Sequence, residues 1–352
     1  MTVVDEAALN AFVGKMLGDL GGAFSVPTVR IGMRLGLFAA LHNGPVNAAE
    51  LAARTGGLAE RYVREWGLAQ AANGYVLYDA ATERFSLSAE QALVFVVQDS
   101  PVYLAGAFEL AAAMIEAEPK VEECFRHGSG LRWGDHAGCL FCATGQFFRP
   151  GYVNNIVQNW LPALDGVEAK LRTGARVADV GCGVGFSTLL MAEAYPQSSF
   201  VGFDFHEPSI LAARGHALKH GVGDRVRFEA VAAKEIAEDG FDLITMYDCL
   251  HDMGDPAGCA AHMRRILSND GTWMIVEPNA SDKPVDNMNP VGRLFYNAST
   301  MICIPTSLEQ EIGEGLGAQA GEWRLSEIIK QGGFGSVRRA TDGPFNMVLE
   351  AR

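Results

Sequence analysis

A glycine-rich stretch marks a place where the backbone is bare enough for a ligand to come close. Residues 177–187, VADVGCGVGFS, put Gly181, Gly183 and Gly185 directly after a run of small and β-branched apolar residues. Such a loop turns sharply and lets a ligand reach the N–H groups at the start of the following helix. The spacing is GxGxG, and Phe186 stands where the GxGxxG of dinucleotide-binding loops has its last glycine. The stretch therefore predicts a nucleotide-type loop of another kind.

Two acidic residues accompany this loop in positions that suit a nucleoside. Asp179 lies in the strand-like segment just before the glycines, and Asp204 ends VGFD, the next strand-like segment. A carboxylate at the end of that second strand can accept hydrogen bonds from both free hydroxyls of a ribose. The alternative is that Asp204 only caps the helix that starts near Pro208. The loop and the strand-end acid together favour ribose binding.

A histidine follows a later strand in a comparable position. His251 lies in YDCLHDM, at the end of the strand-like FDLITMYD. The carboxyl ends of parallel strands form the edge at which open α/β sheets bind ligands. Histidine can remove a proton from a bound group near neutral pH. His251 is therefore a candidate general base, and the alternative is that it only caps the loop before Asp255–Pro256.

The segments that carry these residues alternate between strand-like and helix-like patterns. From Arg172 onward the order is RVADVG, STLLMAEAY, SSFVGFD, PSILAARGHALKHG, RVRFEAV, FDLITMYD, AGCAAHMRRIL and TWMIVEP. This alternation predicts a parallel sheet covered by helices on both faces. A further helix, RLSEIIKQGGF, precedes SVRRATD and FNMVLEAR, whose short separation predicts an antiparallel pair.

The beginning of the chain follows a different pattern. Within residues 37–87 a helix ends near Asn43–Gly44, AAELAARTG forms a short helix, and LAERYVREWGLAQAANG has apolar residues on one helical face. Two strand-like pieces, GYVLYD and RFSLS, come next. The order predicts helix, turn, helix and a β-wing. The pattern between about residues 91 and 170 is mainly helical.

The motifs VADVGCGVG, VGFD, FDLITMYD and LSNDGTWMIVEP resemble, in order and spacing, those of the class I methyltransferases that use S-adenosylmethionine. The resemblance implies an α/β, Rossmann-like fold, a seven-stranded sheet with one reversed strand at the end and the cofactor over the carboxyl ends of the strands. The front segment resembles the winged-helix dimerisation domain of plant and bacterial small-molecule O-methyltransferases. Three parts are expected: a dimerisation domain (1–100), a helical connector contributing to the substrate pocket (101–170) and a cofactor-binding domain (171–352).

The resemblance also implies a set of residues that bind S-adenosylmethionine. These are Asp179, Gly181, Gly183, Gly185, Asp204, Phe205, Ala232, Ala233, Asp248 and Arg149. Many family members hold the adenine amino group with an acid where this chain has Ala232, so we expect backbone N–H groups near Ala233 and apolar stacking to replace it. Plant members hold the methionine carboxylate with a lysine where this chain has Tyr247. Arg149, in FFRPGY, is our candidate for that charge, and the alternative is an ordinary surface arginine.

The LHD triplet resembles the LHDW-type segment of plant O-methyltransferases. In that family the histidine is the general base and a glutamate at the end of the next strand orients it. The resemblance implies these roles for His251 and for Glu277, which ends TWMIVEP; Glu322, in GEWRLSE, is a candidate for a second orienting acid. The alternative is that Glu277 is a solvated strand end.

Five aromatic residues and a methionine, in the connector and in a late loop, form a candidate acceptor pocket. Its members are Phe147, Phe148, Tyr152, Phe295, Tyr296 and Met301. An apolar pocket of this kind suits an aromatic or fatty acceptor. The alternative is that these side chains belong to the hydrophobic core.

A possible zinc motif occurs in HAGCLFC, which contains His136, Cys139 and Cys142. One CxxC supplies half of the usual four ligands, and no second CxxC occurs in the sequence. We expect no metal, and these residues to line a helix near the substrate pocket.

Composition excludes several classes of partner. The chain has 352 residues and a formal net charge of -14, which argues against a broad basic surface for nucleic acid or anionic lipid. MTVVDEAALN has acids where a signal peptide has basic residues. Seven cysteines, an odd number, do not favour a disulfide framework. We expect a cytoplasmic protein with no membrane span and no nucleic acid partner.

These observations lead to one expected function and two alternatives. We expect a homodimeric methyltransferase that moves a methyl group from S-adenosylmethionine to a small, largely apolar acceptor, at a hydroxyl oxygen, with a histidine general base. The first alternative is methylation of a thiol, amine or carboxylate without base catalysis. The second is a ligand-sensing DNA-binding regulator with an inactive methyltransferase domain. Arg54, Arg61 and Arg64 could face phosphates, but Glu50, Glu60 and Glu65 lie among them.

Overall fold

The chain forms two compact units, Met1–Ala112 and Ala113–Arg352, in a computed structural model that describes residues 4–136 and 140–352. The boundary between the units falls within helix α6 (Ala105–His127), which therefore includes residues of both. The expected three-part division at residues 100 and 170 stays a prediction.

The first unit is mainly helical. Its elements are α1 (Glu6–Arg34), α2 (Leu37–His42), α3 (Ala48–Arg54), α4 (Glu60–Ala72), β1 (Leu77–Asp79), β2 (Arg84–Ser86), α5 (Ala89–Phe95) and α6 (Ala105–His127). Helix α3 begins with a capping box, in which the Asn47 side chain accepts from the Glu50 N–H at 2.9 Å and the Glu50 carboxylate accepts from the Asn47 N–H at 3.1 Å. Strands β1 and β2 pair antiparallel. The predicted order of helix, turn, helix and β-wing is confirmed.

The second unit contains the alternating elements. They are α7 (Leu140–Asn155), α8 (Val167–Thr173), β3 (Arg176–Val180), α9 (Phe186–Ala194), β4 (Ser199–Asp204), α10 (Glu207–His220), β5 (Val226–Ala230), β6 (Phe241–Tyr247), α11 (Pro256–Ile266), β7 (Leu267–Pro278), α12 (Pro290–Ala298), α13 (Ile304–Glu309), α14 (Glu322–Gln331), β8 (Val337–Asp342) and β9 (Asn346–Ala351). A π-helical turn, Ser299–Cys303, joins α12 to α13.

The strands form one seven-stranded sheet in the order β5-β4-β3-β6-β7-β9-β8. Neighbours from β5 to β7 are parallel, whereas β9 is antiparallel to both β7 and β8. The α/β, Rossmann-like fold with a reversed last strand is therefore confirmed, as is the antiparallel pairing of the last two strands.

Helices cover both faces of this sheet. Val177 and Ala178 are consecutive in β3, yet they belong to two separate hydrophobic cores, because successive side chains of a strand point to opposite faces. Helices α9 and α10 contribute to the core that contains Val177, and α11 and α14 contribute to the core that contains Ala178. Because helices cover both faces, a ligand can reach the sheet at the ends of its strands.

The parallel strands bring distant residues to one edge. Val180 pairs with Phe203, and Tyr247 pairs with Val276, so β3, β4, β6 and β7 end side by side. The loops that follow these strands carry the residues of the candidate site.

Within the ranges 4–136 and 140–352, no helix is both long enough and apolar enough to cross a membrane.

A glycine in β4 provides a test of the packing beneath this edge. A Cβ atom on Gly202 would lie 2.4 Å from Phe228 Cδ1 and 2.8 Å from Cys182 Sγ. We expect Gly202→Ala to lower the free energy of unfolding by about 1–3 kcal/mol, because overpacking forces neighbours to shift. Urea denaturation measures this change. Gly215→Ala in α10 is the matched control, since its Cβ would meet nothing within 4 Å; an equal loss in both variants would contradict the assignment to packing.

Candidate active site

The glycine loop after β3 has the backbone conformation that its sequence predicts. Gly181, Gly183 and Gly185 have φ values of 74°, 53° and 83°, in the left-handed region that favours glycine. A Cβ on Gly181 would lie 2.6 Å from Cys249 Sγ, so this glycine packs closely against the turn after β6. A Cβ on Gly183 would meet nothing within 4 Å. Gly183 thus presents bare backbone to open space.

Asp204 lies beside this loop, at the end of β4. Its Oδ2 accepts from the Gly183 N–H at 2.9 Å, and its Oδ1 accepts from the His206 N–H at 2.8 Å. Burial raises the pKa of Asp204, against the lowering effect of these two backbone bonds. His206 is the N-cap residue of α10, so Asp204 does help to form that helix start. A carboxylate has about four lone-pair positions, which leaves acceptor capacity for a further ligand.

Asp179 has a structural task in this unit. Its Oδ2 accepts from the hydroxyls of Ser187 at 2.6 Å and Thr188 at 2.5 Å, and its Oδ1 accepts from Thr245 at 3.1 Å. Burial raises the pKa of Asp179, although the three hydroxyl bonds act to lower it. The carboxyl group therefore joins β3, β6 and the start of α9. Because the glycine loop connects β3 to α9, these hydrogen bonds hold both ends of the loop in place.

The end of β6 carries a second buried carboxyl group. Asp248 has a φ of 50°. Its Oδ2 accepts from the Tyr152 hydroxyl at 3.2 Å, and its Oδ1 accepts from Asn346 Nδ2 at 2.7 Å. Burial, followed by the negative charge of Glu277, raises the pKa of Asp248 to about 8. Helix α7 and strand β9 are thus tied to the same edge.

His251 lies in a short 3-10 turn after β6, beside Glu277 at the end of β7. Glu277 Oε2 accepts from His251 Nδ1, and Glu277 Oε1 accepts from the Leu250 N–H at 2.9 Å. His251 and Glu277 are 4% and 1% exposed, so the alternative of a solvated strand end for Glu277 is excluded. Asp252 Oδ1 lies 3.1 Å from His251 Nε2.

The two carboxylates decide the basicity of His251. Burial acts to lower its pKa, but the charges of Glu277 and Asp252 outweigh burial and hold the pKa of His251 well above its usual value. Because Nδ1 donates to Glu277, Nε2 is the nitrogen that can exchange a proton with another group. The arrangement can accept a proton and stabilise the resulting cation.

The remaining cofactor candidates lie around the loop. The Arg149 guanidinium on α7 lies 6.0 Å from the ring centroid of Phe186, the first residue of α9. Phe205, directly after Asp204, is 58% exposed. Ala232 and Ala233 are half-buried after β5, where Ala232 caps a short 3-10 turn.

The candidate residues of the acceptor pocket, five aromatic residues and Met301, fall into two groups. On α7, the ring of Phe148 is T-shaped to Phe147 at 5.0 Å and stacked on Tyr152 at 5.9 Å. Tyr152 also contacts Tyr247, with ring centroids 5.2 Å apart. The second group lies along α12 and the π-helical turn, and comprises Phe295, Tyr296 and Met301.

Two groups of residues considered in the sequence analysis, Glu322 and the HAGCLFC motif, have the following neighbours in the structure. Glu322, offered as a second orienting acid, begins α14 and accepts from Arg339 Nε at 2.9 Å; the second acid beside His251 is Asp252. In HAGCLFC, for which no metal is expected, Cys139 lies outside the described residues. His136 is buried 3.4 Å from the Thr306 hydroxyl, and Cys142 is exposed.

Sequence reasoning missed three residues of this edge. Asp252 follows His251 directly, so the LHD triplet contained a signal for it. Asn346 and Cys303 lie far away in sequence, and their types carry no local signal. Burial raises the pKa of Cys303 to about 12, and the thiol lies close to His251 and Asp252.

Two family descriptions match the chain. Residues 171–326 match a methyltransferase domain, and residues 23–96 match the Rv2258c-like winged HTH domain. These ranges contain the glycine loop with His251 and Glu277, and the helix-turn-helix with its wing, respectively.

Curated proteins with similar sequences are methyltransferases. The methyltransferase ungE′ of Aspergillus campestris is 28% identical over 197 residues, which cover 51% of this chain and 53% of that protein. A ubiquinone biosynthesis O-methyltransferase of Bordetella parapertussis is 37% identical over 130 residues, covering 35% and 47%. The chain spans about half the length of the curated relatives it matches.

Solved structures share the fold over nearly the full length. The mitomycin 7-O-methyltransferase MmcR has a TM-score of 0.71 at 19% identity, covering 99% of this chain and 100% of that one. Human N-acetylserotonin methyltransferase, in complex with S-adenosylmethionine, has a TM-score of 0.72 at 16% identity, covering 100% and 99%. At these identities the likeness establishes the fold. The similarity to known families therefore lies in a methyltransferase domain at residues 171–326 and an Rv2258c-like winged HTH domain at residues 23–96.

Proposed function

We propose that the protein transfers a methyl group from S-adenosylmethionine to the hydroxyl oxygen of a small, largely apolar acceptor, with His251 as general base. The observation that carries this proposal is the buried Glu277–His251 pair. Glu277 lies near the end of β7 and His251 in the turn after the neighbouring β6, at the edge where such sheets bind ligands. The names of the relatives, which include O-methyltransferases, support the same reaction class.

The residues around the glycine loop fit the cofactor. Gly183 presents bare backbone, and Asp204 beside it keeps acceptor capacity for the ribose hydroxyls. In the proposal, backbone N–H groups near Ala232 and Ala233 hold the adenine, with Phe205 as an apolar neighbour. Arg149 binds the methionine carboxylate. The positive charge of a cofactor bound at this edge would favour the ionised form of Asp248, whose pKa burial raises to about 8.

The chain's own part in the reaction is alignment and proton removal. S-adenosylmethionine supplies an activated methyl group when it is bound. Transfer requires the acceptor oxygen to approach in line, and we propose that Phe147, Tyr152, Tyr296 and Met301 position the acceptor. The hydroxyl proton would pass to His251 Nε2 as the acceptor oxygen takes the methyl group and the methyl carbon–sulfur bond of the cofactor breaks, which leaves a neutral thioether. Glu277 keeps Nδ1 protonated and stabilises the imidazolium that results.

DNA binding has less support in the winged-helix segment. Arg61 pairs with Glu65 at 2.5 Å, and Arg64 pairs with Glu83 at 3.4 Å. Arg54 donates to two backbone carbonyls. The two ion pairs neutralise the charges of Arg61 and Arg64, whereas a DNA-binding surface needs a net positive charge. Specific binding in a gel-shift assay at physiological salt would favour the regulator instead.

Helix α1 supports the proposed homodimer. Large apolar side chains lie exposed along it: Leu9, Phe12, Val13, Met16, Leu17, Leu20, Phe24 and Ile31. Leu17 and Phe24 are 66% and 74% exposed, and their separation of seven residues places them on one helical face. Contiguous apolar surface of this kind marks an interaction site. We propose that residues 1 to about 100 join two chains through this face.

We expect Leu17→Asp combined with Phe24→Asp to convert a dimer to a monomer, because two charges would be buried in an apolar interface. Light scattering after size exclusion measures the mass. Leu218→Asp in α10, at a side chain that is 80% exposed, is the matched control and should leave the mass unchanged. A double variant that keeps the parental dimer mass would contradict this interface.

We expect His251→Ala to bind S-adenosylmethionine as the parent does and to lose about 10²- to 10⁴-fold in kcat, the usual contribution of a general base. Calorimetry measures the binding. The rate is measured with an acceptor found by screening phenols, hydroxy acids and thiols for methyl turnover.

The pH profile adds a second readout. Glu277 and Asp252 outweigh burial and raise the pKa of His251, so its neutral form increases as pH rises above neutrality. The parental kcat/KM should increase with it, and His251→Ala should lack that increase. His262→Ala is the control, since that histidine is also buried but bonds to the Ile236 carbonyl. A parental rate in His251→Ala would remove His251 as the base.

A further inference from the structure

Three metal-ligating side chains meet beside the proposed base. His251 and Asp252 belong to the turn after β6, and Cys303 ends the π-helical turn between α12 and α13. One ligand atom from each lies within 4.8 Å of the others, which makes this the one such group found among residues 4–136 and 140–352. The proposed methyl transfer gives Cys303 no task.

The histidine is held in the orientation that a metal ligand requires. Glu277 accepts from Nδ1, so Nε2 faces Asp252 with a lone pair available in the neutral ring. Histidines that bind metals characteristically donate their other ring N–H to a carboxylate or carbonyl, which fixes the tautomer. Glu277 supplies that contact from a side chain that is 1% exposed.

Asp252 has an acceptor atom with no hydrogen-bond partner. Its Oδ1 is buried and lies 3.1 Å from His251 Nε2, but without hydrogen-bond geometry. A buried acceptor without a partner costs free energy, and a bound cation would remove that cost. A protonated His251 can supply this charge, but a metal ion on Nε2 needs the neutral imidazole and would itself be the cation beside Asp252 Oδ1.

Cys303 reaches this place through an irregular helix. The π-helical turn Ser299–Cys303 interrupts the α-helical conformation, and such turns occur frequently at functional sites. Cys303 is 7% exposed, so its sulfur faces the interior.

We propose that His251, Asp252 and Cys303 form a three-ligand site for a thiophilic divalent cation, for which Zn²⁺ is the best match. Imidazole, carboxylate and thiolate are the ligands that zinc binds, and three of them leave the fourth tetrahedral position open. A thiolate ligand disfavours Mg²⁺ and Ca²⁺, which take oxygen ligands. The Cys303 thiol and, where His251 is protonated, its Nε2 release their protons to solvent as the bonds to the metal form. The sequence motif HAGCLFC is not involved.

This site has a consequence for the reaction that rests on the proposed function. A metal on His251 Nε2 occupies the nitrogen that would accept the acceptor's proton. Zn²⁺ therefore inhibits methyl transfer, and a chelator restores it.

Cobalt titration of the full-length protein tests the site, because a Co²⁺–thiolate bond gives a charge-transfer band in the near ultraviolet. We expect one equivalent of Co²⁺ to produce the band and Zn²⁺ to abolish it by displacement. Cys303→Ser should remove the band and weaken Zn²⁺ binding at least about tenfold. Asp252→Asn should keep the band and also weaken Zn²⁺ binding.

Two other cysteines provide matched controls. Cys259 is buried like Cys303, and its pKa is likewise raised by burial to about 12. Cys142 is exposed. Cys259→Ser and Cys142→Ser should both keep the band, and circular dichroism checks that each variant folds. A band that survives Cys303→Ser, or no band in the parent, would overturn the site without affecting the proposed function. Zn²⁺ that binds through Cys303 but does not inhibit would uphold the site and count against His251 as base.

Discussion

The Glu277 carboxylate is the contact on which the candidate site depends. It ends β7 almost fully buried, and its two oxygens accept from the Leu250 N–H and from His251 Nδ1. One side chain thus fixes both the backbone of the turn after β6 and the tautomer of the histidine within it. Removing one partner of a buried charged pair typically costs about 3–5 kcal/mol, so the geometry resists small disturbances. The same turn carries Asp252, so a second carboxylate lies beside His251 and, like Glu277, raises the pKa of the imidazole.

A second constraint joins this turn to the glycine loop. Gly181 has no room for a side chain because Cys249 lies against it, and Gly183 donates to Asp204 on the neighbouring strand. Asp179 holds the loop from below through hydroxyl groups on α9 and β6. The glycine loop and the turn that carries the proposed base are therefore packed against each other at one edge of the sheet.

Local spacing along strands made much of this edge predictable. The glycines, Asp204, His251 and Glu277 each lie at the end of a strand or in the turn that follows it, and parallel strands bring their ends together whatever their distance in sequence. Asp248 shows where such reasoning stops, because its partners Tyr152 and Asn346 are 96 and 98 residues away and come from elements with no shared pattern. Cys303 reaches the site through a π-helical turn, which no periodicity reveals. Glu322, the candidate for a second orienting acid, instead accepts from Arg339, and no local sequence pattern marks that partner.

A double-mutant cycle on the methyl-transfer rate tests the central claim, that Glu277 acts on the reaction through His251. The variants are His251→Ala, Glu277→Gln and the combination, each compared with the parent at saturating S-adenosylmethionine. If Glu277 acts only by orienting and stabilising the imidazole, its removal adds nothing once the imidazole is gone, so the double variant should lose no more kcat than His251→Ala alone. Losses that multiply in the double variant would show that the two residues act independently and would contradict the account.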